Sequence, residues 1–99
     1  MIKVRITKNE LIEEIVITGH ANYSDFGKDI VCSSVSSIVI TTVNGIDKLD
    51  NSYLTVDELI DKLVIKINKN NDDCYKLILN MVELLEELER QYPKNVNVK

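Results

Sequence analysis

The N-terminal segment of this chain alternates between apolar and polar residues, and this restricts the folds open to it. Ile2, Val4 and Ile6 fall on one side of an extended backbone, while charged or polar residues fall on the other. A period of two is typical of a strand with one buried face. Residues 11–19 repeat the pattern after a polar turn at 8–10, so we expect the two segments to pair as a β-hairpin.

A helical spacing of apolar residues follows the hairpin. The helix is predicted to begin at Ile30 with Asp29 as its N-cap, because aspartate accepts hydrogen bonds from the N–H groups of a first turn. We expect it to end at Gly45 or in the region 47–48. Its predicted core-facing stripe consists of Val31, Val35, Ile38, Val39, Thr42 and Ile46.

The second half of the chain repeats this order of strands and helix. Residues 53–56 and 63–68 have the composition of strands, and 57–61 connect them. A long amphipathic helix is predicted over 72–92, capped by Asn71 or Asp72 and stopped by Pro93, which cannot continue a helix.

The order of these elements predicts one α+β domain over residues 1–99, arranged ββαββα, with a short final strand at 95–98. The expected architecture is a two-layer sandwich, in which two helices pack on one face of a mainly antiparallel sheet.

Charge and hydropathy exclude several kinds of partner. The net charge is −4, and the basic residues are scattered among acidic ones. Because nucleic-acid binding depends on clustered Lys and Arg, we expect no direct contact with nucleic acid, and a basic protein suits this surface better. We also expect no membrane partner, since the sequence predicts no segment with the ~18 apolar residues of a span and the N-terminus has no signal-peptide core. The predicted location is the cytoplasm, where thiols stay reduced.

The loop between the second strand and the first helix is flanked by two residues suited to thiol chemistry. His20 is placed at the strand end and Cys32 in the first helical turn. Histidine can remove the thiol proton, and a helix N-terminus stabilises the nucleophilic thiolate. Ser36 follows one turn later, and the N–H groups of the helix start, that of Cys32 included, are candidate oxyanion donors. The pattern favours a thiol hydrolase but leaves open a structural Cys and His.

The other candidate residues have more ordinary interpretations. Tyr23 and Phe26, within the loop 22–28, either pin that loop to the body or line a substrate groove. Cys74 lies in the apolar stripe of the second helix and is interpreted as a packing residue. One histidine and two distant cysteines are too few for a zinc site, so we expect no metal, no cofactor and no disulfide.

The segment Gly19-His20-Ala21, followed by Gly27 and by Asp29-Ile30-Val31-Cys32-Ser33-Ser34-Val35-Ser36, resembles the signature of the ribosomal-processing cysteine proteases, the Prp family. The resemblance covers essentially the whole chain and implies a cysteine endopeptidase with a Cys/His dyad. In this sequence the dyad is Cys32 and His20, the supporting motif positions are Gly19, Asp29 and Ser36, and the loop that shapes the substrate site contains Tyr23, Phe26 and Gly27.

The resemblance also implies a substrate and an assembly. Members of the family remove a short N-terminal extension from large-subunit ribosomal protein twenty-seven and form homodimers. The expected partners are therefore the precursor of that basic protein and a second copy of this chain. The alternative is a non-catalytic, ribosome-associated binding module in which the Cys and His are structural.

Overall fold

The computed structural model describes residues 1–19 and 30–99 in full, and residues 26–29 as helical backbone. Its elements are β1 (Ile2–Asn9), β2 (Leu11–Thr18), α1 (Phe26–Leu49), β3 (Leu54–Glu58), β4 (Lys62–Ile67), α2 (Asp72–Gln91) and β5 (Val96–Val98). The predicted order is confirmed, including the final short strand.

The strands form one sheet in the order β3-β4-β2-β1-β5. The pairs β1–β2, β2–β4 and β3–β4 are antiparallel, whereas β5 lies parallel to β1. The expected hairpin and the mainly antiparallel sheet are therefore confirmed. β3 is longer than predicted, so that Asp57 and Glu58 extend the strand and the connection to β4 is reduced to 59–61.

Both helices pack on the same face of the sheet, and the two layers share one core. The sheet contributes alternate residues of its strands, among them Ile2, Val4, Ile15, Ile17, Ile65 and Val96, and the helices contribute Val31, Val35, Val39, Ile46, Cys74, Ile78, Met81 and Leu85. Of the predicted stripe of α1, Ile38 and Thr42 are only partly buried. The two-layer sandwich is confirmed, and its core is almost entirely aliphatic.

The second helix begins and ends as its sequence predicts. Asn71 is the N-cap, and its Oδ1 accepts a hydrogen bond from the Cys74 N–H at 3.2 Å. At the other end the Tyr92 N–H donates to the Leu88 carbonyl oxygen, and Pro93 follows. Cys74 is completely buried, which confirms its interpretation as a packing residue.

The first helix starts four residues earlier than predicted, so Asp29 is not its N-cap. The composition of the segment Phe26-Gly27-Lys28, which continues a polar segment and contains glycine, predicts a loop. Extending an existing helix by one turn costs little, however, because each added residue gains a backbone hydrogen bond. The helix also continues through Gly45 and ends at Leu49.

The expectation that no segment is apolar enough to span a membrane is wrong for α1. Residues 30–49 are long and apolar enough by length and composition. The core helix of a water-soluble protein passes the same test, and the buried face formed by Val31, Val35 and Val39 packs against the sheet. The outer face of the helix is mixed, since Ser33, Ser37 and Thr41 are exposed there together with Ile30 and Ile40.

Candidate active site

The predicted site residues lie around the connection from β2 to α1. β2 ends at Thr18, and α1 begins at Phe26. His20 and Tyr23 lie outside the described residues, as do the side chains of Phe26 and Asp29. The contact between His20 and Cys32 therefore stays a prediction, as does a role for Gly27 in shaping the substrate site. Gly19, Cys32 and Ser36 can be described in full.

Gly19 marks a sharp change of direction at the end of β2. Its φ is +89°, a conformation that residues with a side chain rarely adopt. A Cβ atom at this position would also collide with the carbonyl oxygen of Met1. Glycine is thus required where the chain leaves the sheet. The regular alternation of β2 ends at Thr18, one residue before this glycine.

Cys32 is the seventh residue of α1 and therefore lies in its second turn. Its side chain is half-buried and packs against the edge of the core. Because the helix dipole acts mainly within the first turn, its effect on the thiol is weaker than the sequence predicted. The expectation that the Cys32 N–H binds an oxyanion is also wrong. Helix geometry leaves only the first four N–H groups of a helix without an intrahelical acceptor, and Cys32, the seventh residue of α1, lies beyond them.

The two cysteines differ sharply in accessibility. Burial raises the pKa of the Cys74 thiol, assisted by the nearby charges of Asp50 and Asp73, and keeps it protonated. Cys32, in contrast, has part of its surface exposed. Both lie within the described part of the chain, and no disulfide joins them. If one of these thiols acts as a nucleophile, accessibility selects Cys32.

Ser36 lies one turn beyond Cys32 and lines an open groove between α1 and the sheet. The groove has a volume of about 210 Å³. Ile40 and Val43 line it from α1, and Val56 and Leu63 line it from β3 and β4. The first residues of α1 that line the groove, Val35 and Ser36, lie about one helical turn after Cys32.

The serines after Cys32 face a different groove. Ser33, Ser34 and Ser37 line a space of about 710 Å³ between α1 and α2, together with Ile30 and Leu84. The Ser34 hydroxyl donates to the Ile30 carbonyl oxygen at 2.9 Å. These small side chains leave room between the two helices rather than packing against the sheet.

The groove beside Ser36 was missed by the sequence analysis. Its signal was present in Ile40 and Val43, which are apolar but lie outside the core-facing stripe of α1. What could not be read from the sequence is that β3 lies far enough from α1 to leave Val56 39% exposed. Among the described residues, no group of three or more His, Cys, Asp or Glu side chains could hold a metal ion.

Comparison with known proteins assigns a family to this arrangement. A family model described as cysteine protease Prp matches residues 1–97. The ribosomal processing cysteine protease Prp of Staphylococcus aureus is 28% identical over 103 residues, a match that covers 99% of this chain and 97% of that protein. The protein of the same name from Bacillus subtilis is 28% identical, over 96% of this chain and 91% of its own length.

A solved structure agrees over the full length of the chain. It is the Prp protease from Staphylococcus aureus, described as an essential ribosomal processing protease, in complex with a substrate peptide. The two folds superpose with a TM-score of 0.92 at 26% sequence identity, covering 100% of this chain and 98% of the other. The fold seen here is thus similar to one that binds a peptide.

Proposed function

The chain belongs to the family of the cysteine protease Prp, and from that premise we propose that it removes the N-terminal extension from the precursor of large-subunit ribosomal protein twenty-seven. The observation that carries the proposal is the partly exposed Cys32 beside an open apolar groove. Two supporting facts are that the relatives are named ribosomal processing proteases and that one was solved with a substrate peptide.

We assign Cys32 as the nucleophile and His20 as its base. The imidazole takes the thiol proton, and the thiolate attacks the scissile carbonyl carbon to form a tetrahedral intermediate. The intermediate collapses to a thioester as the C–N bond breaks, and the imidazolium gives its proton to the departing amine. Water, deprotonated by the same imidazole, then hydrolyses the thioester and restores the thiol. Ser36 lies one turn further along the same helix and lines the groove, and we propose that it contacts the substrate there.

The charge of the protein supports a ribosomal-protein substrate. The net charge of −4 attracts a basic polypeptide, and electrostatic attraction of this kind speeds the encounter of enzyme and substrate. We also propose that the protein acts in the cytoplasm, where ribosomal proteins are made and where a reactive thiol stays reduced.

We further propose that the active form is a homodimer. Exposed apolar side chains on the outer surface of the helices support this, in particular Ile30 and Leu84, which are 60% and 40% exposed. Sedimentation analysis tests the proposal. We expect a dimer for the wild type and a shift towards monomer for Leu84→Glu, and a wild type that is monomeric at micromolar concentration contradicts it.

Incubation with the purified precursor of ribosomal protein twenty-seven from the same organism tests the function. We expect mass spectrometry to show loss of an N-terminal segment with the wild type, and no cleavage with Cys32→Ser or His20→Ala. Wild-type protein that leaves the precursor intact contradicts the proposed substrate. Cleavage by Cys32→Ser at the wild-type rate contradicts the assigned nucleophile.

A further inference from the structure

We propose that the free edge of β3 binds an extended, basic segment of the substrate as an added β-strand, whose inward side chains enter the groove beside Ser36. This inference rests on the proposed function, because it names the surface that would hold the substrate away from the scissile bond. It is drawn from the hydrogen-bond pattern of β3, the shape of the groove and the charge around both.

The hydrogen-bond pattern shows which backbone groups of β3 lie at the free edge. The Asn68 N–H donates to the Tyr53 carbonyl oxygen, and the Leu59 N–H donates to that of Lys62, each at 2.8 Å. In an antiparallel pair the residues directed at the partner strand alternate. The backbone N–H and C=O groups of residues 53, 55, 57 and 59 therefore face β4. The N–H and C=O groups of Leu54, Val56 and Glu58 point away from the sheet.

The opposite edge of the sheet, formed by β5, differs from the β3 edge because a side chain of α2 hydrogen-bonds to its backbone. At β5 the Val98 N–H donates to the Glu89 carboxylate at 3.0 Å, so α2 satisfies an outward-facing group of that strand. Within the described residues no side chain is bonded in this way to the N–H of Leu54, Val56 or Glu58. An unpaired edge of this kind is a template for another extended segment.

The groove lies directly inside this edge. The side chains of Val56 and Glu58 point towards the helix layer, since they share a face with the buried Ile65 and the groove-lining Leu63. A strand added to β3 would direct every second side chain into the same layer. There it would meet Val56 and the exposed Ile40 of α1.

The edge also leads to the candidate active site. Glu58 pairs with Leu63 and Ile17 pairs with Leu63, so the C-terminal end of β3 lies at the end of the sheet where β2 reaches Gly19. On the helix side, Ser36 joins the groove to Cys32. A peptide along β3 would thus extend from the β2–α1 connection outward.

The charge at this edge favours a basic segment over a second copy of the chain. Glu58 lines the groove, Asp57 follows Val56 along the strand, and no Lys or Arg side chain is among the described groove-lining residues. If β3 paired with β3 of a second copy, Asp57 and Glu58 of each chain would bring four carboxylates close together, and their mutual repulsion would disfavour the pairing. A peptide with Lys or Arg at one or two positions would instead neutralise them.

Amide hydrogen exchange measured by NMR tests the backbone part of the proposal. The sample is the Cys32→Ala variant, with and without a synthetic peptide that spans the cleavage site of the precursor and the basic residues after it. In the free protein we expect fast exchange at the amides of 54, 56 and 58 and slow exchange at 55 and 57. Saturating peptide should slow the exchange of the amides of 54, 56 and 58 at least tenfold and leave the exchange rates at 55 and 57 unchanged.

A matched pair of helix variants tests the groove. Ile40 lines the groove and is 57% exposed, whereas Thr41 is the next residue, also exposed, and lies outside it. With the same peptide as substrate we expect Ile40→Lys to raise KM about tenfold, the effect of losing about 1.4 kcal/mol of binding, with kcat within about twofold. Thr41→Lys adds the same charge and should leave KM within about twofold.

The outcomes separate this inference from the proposed function. Peptide that is cleaved while the amides of 54, 56 and 58 stay unprotected overturns the inference and leaves the function standing. Peptide that is neither cleaved nor bound overturns both. Protection of the same amides in the free protein that disappears on dilution shows that a second copy occupies the edge and overturns the peptide assignment. Equal effects of the Ile40 and Thr41 variants on KM overturn the proposal that the groove binds side chains of the substrate.

Discussion

The Glu89 carboxylate of α2 accepts a hydrogen bond from the Val98 N–H of β5, with 3.0 Å between Oε2 and N. The same oxygen lies 3.5 Å from Asn97 Nδ2, and the Arg5 guanidinium of β1 donates to Asn97 Oδ1 at 2.9 Å. A strand of three residues has little stability of its own. These side-chain contacts bind the last strand to both layers of the domain.

We therefore expect Glu89→Ala to lower the free energy of unfolding by about 1–2 kcal/mol, because the Val98 N–H loses a charged acceptor. Urea denaturation measures the change. Glu86→Ala, an exposed glutamate of the same helix, serves as the control and should stay within about 0.5 kcal/mol of the wild type. Equal stability of the two variants would show that the carboxylate adds nothing to the attachment of β5.

The secondary structure was predictable because apolar periodicity follows directly from burial on one face. The stripe containing Val31, Val35 and Val39 and the alternation of Ile2 and Val4 are both buried as the pattern requires. The start of α1 was not predictable in this way. Segment 26–28 has weak local signals, and whether it joins a helix depends on the helix already present behind it.

The candidate site was predictable as residue types but not as geometry. Sequence identified Gly19 by its motif, whereas the reason for glycine is the close approach of the carbonyl of Met1, the residue that precedes β1. The groove beside Ser36 likewise depends on the separation of α1 from β3, which no local pattern encodes. Contacts between residues distant in the chain were the part that sequence could not supply.

Substitution of glycine should have opposite effects at two positions. Gly19→Ala combines a φ of +89° with a collision against the Met1 carbonyl oxygen, so we expect a loss of about 2–3 kcal/mol in stability and a fall in peptidase activity. Gly45 lies inside α1, and a Cβ there meets nothing within 4 Å. Gly45→Ala should raise stability by about 0.5–1 kcal/mol, because alanine is the better helix former.

Thermal unfolding followed by circular dichroism measures both glycine variants. Gly19→Ala with wild-type stability would show that the backbone relaxes at the β2 end without cost. Full peptidase activity in a destabilised Gly19→Ala variant would show that Gly19 is needed for stability but not for catalysis, and Gly19 would no longer count as a supporting residue of the site.

Thiol labelling should discriminate between the two cysteines. Cys74 is fully buried, and burial raises its pKa, so its reactive thiolate is scarce at neutral pH in the folded protein. We expect iodoacetamide at about pH 6 to modify Cys32 selectively, and His20→Ala to slow that reaction at least tenfold. Both thiols should react once the protein is unfolded in urea. Equal slow labelling of both in the folded protein would contradict an activated Cys32.

Asp50 should make stability depend on pH in the acid range. Its carboxylate accepts hydrogen bonds from the Ser52 hydroxyl at 2.8 Å and the Ser52 N–H at 3.1 Å, pairs with Lys69 at 3.1 Å, and accepts from Asn71 Nδ2 at 3.2 Å. These contacts, those of Ser52 above all, hold the pKa of Asp50 well below its ordinary value. A lowered pKa in the folded state stabilises the protein above the unfolded-state pKa of about 4, and this stabilisation is lost as pH falls towards the folded-state pKa.

The measurement is the difference in Tm between wild type and Asp50→Asn as a function of pH. We expect the wild type to be more stable at pH 7 and the difference to shrink progressively below about pH 4. Asp47→Asn, an exposed carboxylate on the last turn of α1, is the control. A difference that stays constant from pH 7 to pH 2 would show that the contacts of Asp50 do not depend on its charge.

The Tyr75 hydroxyl should stabilise an irregularity in the hairpin. The register of β1 and β2 shifts between Thr7 and Lys8, and close to this shift the Ile12 N–H donates to Tyr75 Oη of α2 at 3.0 Å. Because Ile12 is 6% exposed, Tyr75→Phe leaves its buried N–H without an acceptor, at a cost of about 1–2 kcal/mol in stability.

Tyr92→Phe removes a hydroxyl from a side chain that is 36% exposed, and it should change stability by less than about 0.5 kcal/mol. Urea denaturation compares the two, and faster amide exchange at Ile12 in Tyr75→Phe alone would locate the loss. Equal stability of both variants would mean that another acceptor replaces the hydroxyl.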